Sequence, residues 1–152
     1  TSEKEVKKKF GTPVKEDKIT KDKYSYKILE YKGLKLTLKE NYSDYMLTGV
    51  EVTNNKYKVS RNIKVNDKII KTIKKFKVDN KKGTYLYGNY SVDALNEEEI
   101  KDTIYLGIRN DKEVVYINRD ALVGDTASNI SRLNISYKYG KITKISWSYD
   151  FE

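Results

Sequence analysis

The hydrophobic positions change their period along this chain, and the changes mark its elements. Near the start, Val6 and Phe10 stand four apart in a charged stretch, which places them on one face of a helix. Ser2 and Glu5 have the spacing of a capping box, and Gly11-Thr12-Pro13 forms a stop, so residues 1–10 are predicted helical. Residues 14–23 are polar and charged and read as a loop. From Tyr24 the period becomes two. Tyr24, Tyr26 and Ile28 alternate with Ser25, Lys27 and Leu29. After a turn at Lys32-Gly33, Leu34, Leu36 and Leu38 alternate with Lys35, Thr37 and Lys39, the pattern of a half-buried strand. A turn through Glu40–Asp44 leads to a third strand near Met46–Thr53.

The pattern then restarts. Asp67 is placed to cap a second helix, whose Ile69, Ile73 and Phe76 share a face. Strands are predicted at about 84–90, 103–109, 113–118, 131–139 and 141–150, with hairpin turns at Asn110-Asp111 and Tyr139-Gly140-Lys141. Asn96 and Glu99 repeat the capping-box spacing. Glu97-Glu98-Glu99 therefore reads as the first turn of a short helix, in preference to a catalytic carboxylate cluster.

Superposing Phe10 on Phe76 brings Thr1 onto Asp67, so both predicted helices begin at the same offset and both lead into aromatic-rich strands. This divides the chain into a first module at 1–60 and a second at 61–152, with an insertion at about 91–130. The expected fold is α+β: two tandem helix-plus-antiparallel-strand modules forming one continuous antiparallel sheet, with helices on one face. One helix on three strands buries too little apolar surface alone, and two such units complete each other.

Composition narrows the chemistry. The 152 residues include no Cys and no His, which excludes disulfides, thiolate nucleophiles, zinc–thiolate sites and imidazole bases. No cofactor or metal is expected, since glycines are scattered singly and Asp120 and Asp125 read as solvated loop acids. No run is long and apolar enough to span a membrane. The formal charge of +9 is uneven: residues 1–76 carry 20 basic and 10 acidic side chains, and residues 77–152 carry 11 and 12. Only four of the basic residues are Arg, so a phosphate- or nucleic-acid-binding reading is weakened. A solvated lysine-rich surface is the simplest reading, and an anionic partner the functional one. The motif Asn-x-Ser at Asn41, Asn89, Asn129 and Asn134 has meaning only in a eukaryotic secreted protein.

Several stretches resemble small modules of exported bacterial lipoproteins of unknown function. EVKKKFGTP, within Lys4–Pro13, is similar to their helix-Gly-x-Pro element. RNIKVNDKIIKTIKKF (Arg61–Phe76) is similar to their Gly-Asp-plus-helix element, while SYKILEYKGLKLTL and NISYKYGKITKISW resemble their strands. In plan these modules are similar to the tandem repeats of β-lactamase inhibitor proteins. Asn66 and Lys77 stand where the pattern has Gly, and the first module lacks the lead-in that Ile63–Val65 gives the second. The resemblance implies the tandem fold, a chain that begins inside its first module, and an extracytoplasmic location with a lipid anchor upstream of Thr1. It implies no catalytic residues.

The 14 tyrosines supply the candidate binding residues. Lys27, Leu29, Tyr31, Lys35 and Thr37 are expected on the face opposite the Leu34/Leu36/Leu38 row. Tyr137 and Tyr139 share a face on one C-terminal strand, and Trp147 and Tyr149 share one on the next. Lys27, Tyr31, Lys35, Tyr137, Tyr139, Trp147 and Tyr149 form the candidate set, although a lone Trp in an alternating strand more often packs inward. The expected role is a non-enzymatic extracytoplasmic interaction module that contacts a protein or an anionic envelope polymer. The alternative is single-stranded nucleic-acid binding through interleaved Lys and Tyr.

Overall fold

Helix α1 spans Glu3–Phe10 and carries the capping box that the sequence predicts. The Glu5 N–H donates to Ser2 Oγ (3.4 Å), and the Ser2 N–H donates to the Glu5 carboxylate (2.7 Å). Glu3 and Glu5 lie in the first turn and Lys7, Lys8 and Lys9 in the last, each complementing the helix dipole. Gly11, at φ 78°, ends the helix. Val6 is buried beneath it, and Phe10 packs on Tyr31 and Tyr57, with ring centroids 5.8 and 6.1 Å away.

The structure is a computed structural model that describes residues 1–75, 83–86, 104–109, 113–119 and 130–150. After α1 come β1 (Lys15–Lys21), β2 (Tyr24–Tyr31), β3 (Leu34–Asn41) and β4 (Asp44–Val52). An irregular segment then contains a single 3₁₀ turn at Ser60–Asn62 and leads to α2 (Ile69–Ile73). The remaining strands are β5 (Gly83–Leu86), β6 (Ile104–Arg109), β7 (Glu113–Arg119), β8 (Ile130–Lys138) and β9 (Lys141–Asp150). They form one sheet in the order β1-β2-β3-β4-β9-β8-β7-β6-β5. Its strands pair antiparallel except β5 with β6, which are parallel. Six strands, β1–β4, β8 and β9, make the antiparallel body that carries the described core.

Register decides which residues share a face, because directly paired residues point the same way. Leu34, Leu36 and Leu38 oppose Tyr31, Leu29 and Lys27 on one side, and Val52, Val50 and Leu47 on the other, with a bulge at Thr37/Leu38. Val52 and Val50 oppose Ile145 and Trp147, which in turn oppose Ile135 and Leu133. This face is the core. Leu29, Leu36, Leu38, Ile135, Ile142 and Ile145 are all fully buried on it, each worth about 1.5–3 kcal/mol of hydrophobic stabilisation. Val6 of α1, Ile63 and Val65 of the irregular segment, and Ile69 of α2 cover it.

The expected architecture of two helix-plus-strand modules, with helices on one face, is overturned. Among the described residues the strands make one long sheet, the helices are one of eight residues and one of five, and one strand pair is parallel. The second helix is short for physical reasons. Asp67 does not cap it: the Asp67 carboxylate accepts the Lys64 N–H (3.1 Å), and Lys68 stands at the N-cap position without a side-chain bond. Four of its five residues are β-branched and its first turn holds no acid, so propensity is low and only Lys71, in the last turn, complements the dipole. The backbone around it instead bonds to the β8–β9 hairpin, through Asn66 N–H to Ile142 O, Ile142 N–H to Asp67 O and Ile69 N–H to Gly140 O. Asn66 sits at φ 75°, which explains a departure from the resembled pattern: its Gly position needs left-handed backbone, and Asn tolerates that best among residues with a side chain.

The stretch predicted as loop at 14–23 contains β1, an edge strand exposed along nearly its whole length. With neither face buried it has no reason to alternate, and its charges guard the sheet edge against pairing with other chains. The expected helix at Asn96–Lys101, the turn at Asn110-Asp111 and the Asp120–Asp125 loop lie outside the described residues, as do Phe76, Lys77 and most of the expected insertion.

Candidate functional site

Opposite the core, the sheet presents a second face. Register gives it Lys15, Asp17, Ile19 and Lys21 of β1, Tyr24, Tyr26, Ile28 and Glu30 of β2, and Lys35, Thr37 and Lys39 of β3. Across the join it continues through Gly49 and Glu51 of β4, Lys144, Ser146 and Ser148 of β9, and Arg132 and Asn134 of β8. Its side chains are polar or aromatic at nearly every position, so water or a partner, rather than an apolar layer, satisfies this face. Basic side chains outnumber acidic ones on it, and Lys144 lies 3.9 Å from Glu51.

The middle of this face is indented. Gly49 has no side chain, and its neighbours across the two pairings are Thr37 and Ser148. A notch of about 250 Å³ results, lined by Tyr26, Thr37, Lys39, Thr48, Gly49, Ser148 and Tyr149. A Cβ at Gly49 would stand 3.1 Å from the Thr37 Cβ, so the notch depends on glycine. The Lys39 ammonium lies 3.9 Å from the Tyr24 ring centroid and that of Lys23 lies 5.4 Å away, a cation–π cluster beside the notch.

The candidate residues divide between the two faces. Lys35 is on the open face. Lys27 and Tyr31 are not: they lie with Leu29 on the core face, which overturns their expected position opposite the leucine row. Lys27 joins an ion network that ties α1 to β1 and β2. Its ammonium lies 2.8 Å from Glu3 and 4.0 Å from Glu16, while Lys7 lies 2.8 Å from each of the same acids. Burial pushes the Glu3 carboxyl up, but the hydrogen bonds from Lys27 and Lys7 outweigh it and hold the group below its ordinary value. The Lys7 ammonium is raised, by its bond to Glu16 first and to Glu3 second. Lys27 also stands 4.5 Å from the buried Tyr45 ring.

Tyr31 donates from its hydroxyl to Gly11 O (3.1 Å), and burial raises its phenol. It secures the end of α1. Trp147 packs on the core and donates from Nε1 to Ser131 Oγ (2.8 Å), with Tyr149 stacked on it at 6.2 Å. The inward reading of the lone tryptophan therefore holds. Tyr137 also packs on the core, while Tyr139 projects into solvent at the β8–β9 tip. Only Tyr149 and Lys35 of the expected set border the notch or share its face.

The residues that sequence reasoning missed are Tyr26, Lys39, Gly49 and Ser148. A signal for the first two was present: a two-residue turn at Lys32-Gly33 pairs Tyr31 with Leu34, which sends Tyr24 and Tyr26 to the face of Lys39. Nothing local marks Gly49, because its neighbour on β9 lies about 100 residues away in the chain. Among the described residues, no group of three or more acidic side chains gathers to hold a metal ion, and no helix is long and apolar enough to cross a membrane.

No protein-family model matches this chain, and no curated protein matches it. Among solved structures, a Streptococcus mutans protein provisionally described as a β-lactamase inhibitor protein is similar to it. That likeness covers 100% of this chain and 84% of the other, at 13% identity and a TM-score of 0.32. It is a loose likeness in overall arrangement, and no residue role is carried across it.

Proposed function

We propose that this chain is a non-enzymatic protein-binding module that engages its partner with the open face of the sheet, and that it works outside the cytoplasm. The observation that carries the first part is the Gly49 notch. It sits at the centre of a polar, basic, tyrosine-bearing face and is large enough for one inserted side chain. A rigid sheet presenting such an indentation resembles the centre of an interface, where an anchor residue enters a pocket and a polar rim surrounds it. The excess of lysine favours an acidic partner surface. The extracytoplasmic location rests on the resemblance to exported modules, and fractionating cells that make the full-length protein tests it.

Nucleic-acid binding is less favoured, because only four of the 31 basic residues are Arg and two of the tyrosines beside lysine already hold an ammonium on the ring. Lys39 occupies the Tyr24 face, and Tyr45 is buried under Lys27. Oligonucleotide titration at two salt concentrations is expected to give no tight, salt-dependent binding.

The central experiment compares capture of exported proteins from the source cell by three baits: the natural chain, Gly49→Lys, and Tyr42→Ser. Gly49→Lys fills the notch, while Tyr42 is an exposed hairpin-tip residue outside it. A partner held by the natural chain and by Tyr42→Ser, but lost from a folded Gly49→Lys, supports the reading. A partner held equally by all three removes the open face as the site.

A further inference from the structure

The core face is not uniformly closed. Between α1 and the segment that follows β4 lies a cavity of about 620 Å³, a size ordinary for a small-molecule site of about 300–1,000 Å³. Its walls include Leu47, Val50, Tyr57, Val59 and Trp147, each packed on the core yet only partly buried. Five adjacent apolar side chains left partly open form a continuous patch rather than the scattered exposure of an ordinary surface. Val6, Leu34, Leu36, Val52 and Leu133 also line it and are buried. The indole N–H of Trp147, a polar atom within it, is already given to Ser131 Oγ at 2.8 Å.

Exposed basic side chains also line the cavity. They are Lys9, at the end of α1, and Lys56, Lys58 and Arg61, after β4, and Lys9 lies 5.5 Å from the Phe10 ring centroid. Glu5, the acidic side chain among the lining residues, is occupied by the N–H and hydroxyl of Ser2. A largely apolar interior bordered by exposed basic side chains disfavours a short polar ligand and offers a neutral one no charge partner. It fits an amphiphile with a single anionic head and a long hydrocarbon tail.

We propose that this cavity binds one monomeric long-chain fatty acid, its tail against Val50, Leu47 and Trp147 and its carboxylate between Lys56, Lys58 and Lys9. The site lies on the face opposite the notch, so it stands or falls independently of the protein-binding reading.

Trp147 is the chain's one tryptophan, so its fluorescence reports directly on the cavity wall. The test titrates the full chain with oleate below its micellar concentration and follows Trp147 emission, with oleyl alcohol, acetate and phosphatidylglycerol vesicles as parallel probes. The expected result is a saturable change at one oleate per chain and no response to acetate. Oleyl alcohol and the double variant K56E/K58E bind about tenfold more weakly, a loss that shrinks as salt rises. Both lysines are surface residues, so that variant keeps its fold, which circular dichroism verifies. A second variant, Val50→Phe, reduces the tail volume and lowers affinity without altering the rim. No saturable response to oleate, equal binding of oleate and oleyl alcohol, unchanged affinity in the folded K56E/K58E, or response to vesicles without response to monomeric oleate would each overturn the proposal.

Discussion

Gly33 shows how much one residue can decide. It turns β2 into β3 at φ 76°, a backbone region that side chains oppose. A Cβ there would overlap the Asn54 side chain, whose Nδ2 donates to Lys32 O (2.9 Å) and whose Oδ1 accepts the Lys56 N–H (3.0 Å). The turn, the end of β4 and the start of the irregular segment are thus tied together by the Asn54 side chain and by the Thr53 N–H, which donates to Gly33 O (3.0 Å). Gly33→Ala is expected to cost about 2 kcal/mol, combining left-handed strain with displacement of Asn54. Urea denaturation measures it, and a loss near zero would show that the turn relaxes freely. Asn66, also left-handed, is the milder case, because its side chain tolerates the backbone it occupies.

At the scale of elements, α1 is held by both its own chemistry and its neighbours. Its cap and its flanking charges are local. Its docking relies on Glu3 and Glu16 shared between Lys7 and Lys27, a network on three elements whose acids face two cations each. Glu3 has its carboxyl lowered in the folded state. The stability it contributes is therefore present above the unfolded value and is lost as pH falls through the folded one. The thermal midpoint of the natural chain is expected to fall on acidification below about pH 4.5. Glu3→Gln should begin lower at neutral pH and show a shallower acid dependence. Parallel melting of the two proteins from pH 7 to pH 3 measures this, and identical acid profiles would exclude Glu3 as a contributor.

At the scale of the molecule, the join between β4 and β9 unites the halves of the sheet, with Val52 against Ile145 and Val50 against Trp147. Ile145 is fully buried at that seam, between Val52 and Ile135. Ile145→Ala is expected to cost about 2–5 kcal/mol. Ser146→Ala, on the other face of the same strand, should change stability by no more than about 0.5 kcal/mol. Chemical denaturation of both variants measures the contrast, and similar losses would mean that the seam is not the core.

What was legible in the chain follows the range of the forces involved. The cap at Ser2 and Glu5, the stop at Gly11, and the alternation of β2, β3, β8 and β9 depend on neighbours within a few residues, so local pattern determined them. Alternation also groups Ile145, Trp147 and Tyr149 on one face, and only the pairing with Val50 and Leu133 decides between core and open sheet for that face. Other features needed the tertiary structure. Strand β1 has no buried face and so no periodicity to read. The second helix shortens because Asp67 and its neighbours bond to a hairpin some 75 residues further on. The Gly49 notch exists only where β4 meets β9, and the fatty-acid cavity only where α1 and the segment after β4 stand apart over the sheet. Backbone propensity and side-chain alternation act along the chain and are written in it. Strand order, register across distant pairs and the spaces between elements are set by contacts that form only once the chain has folded.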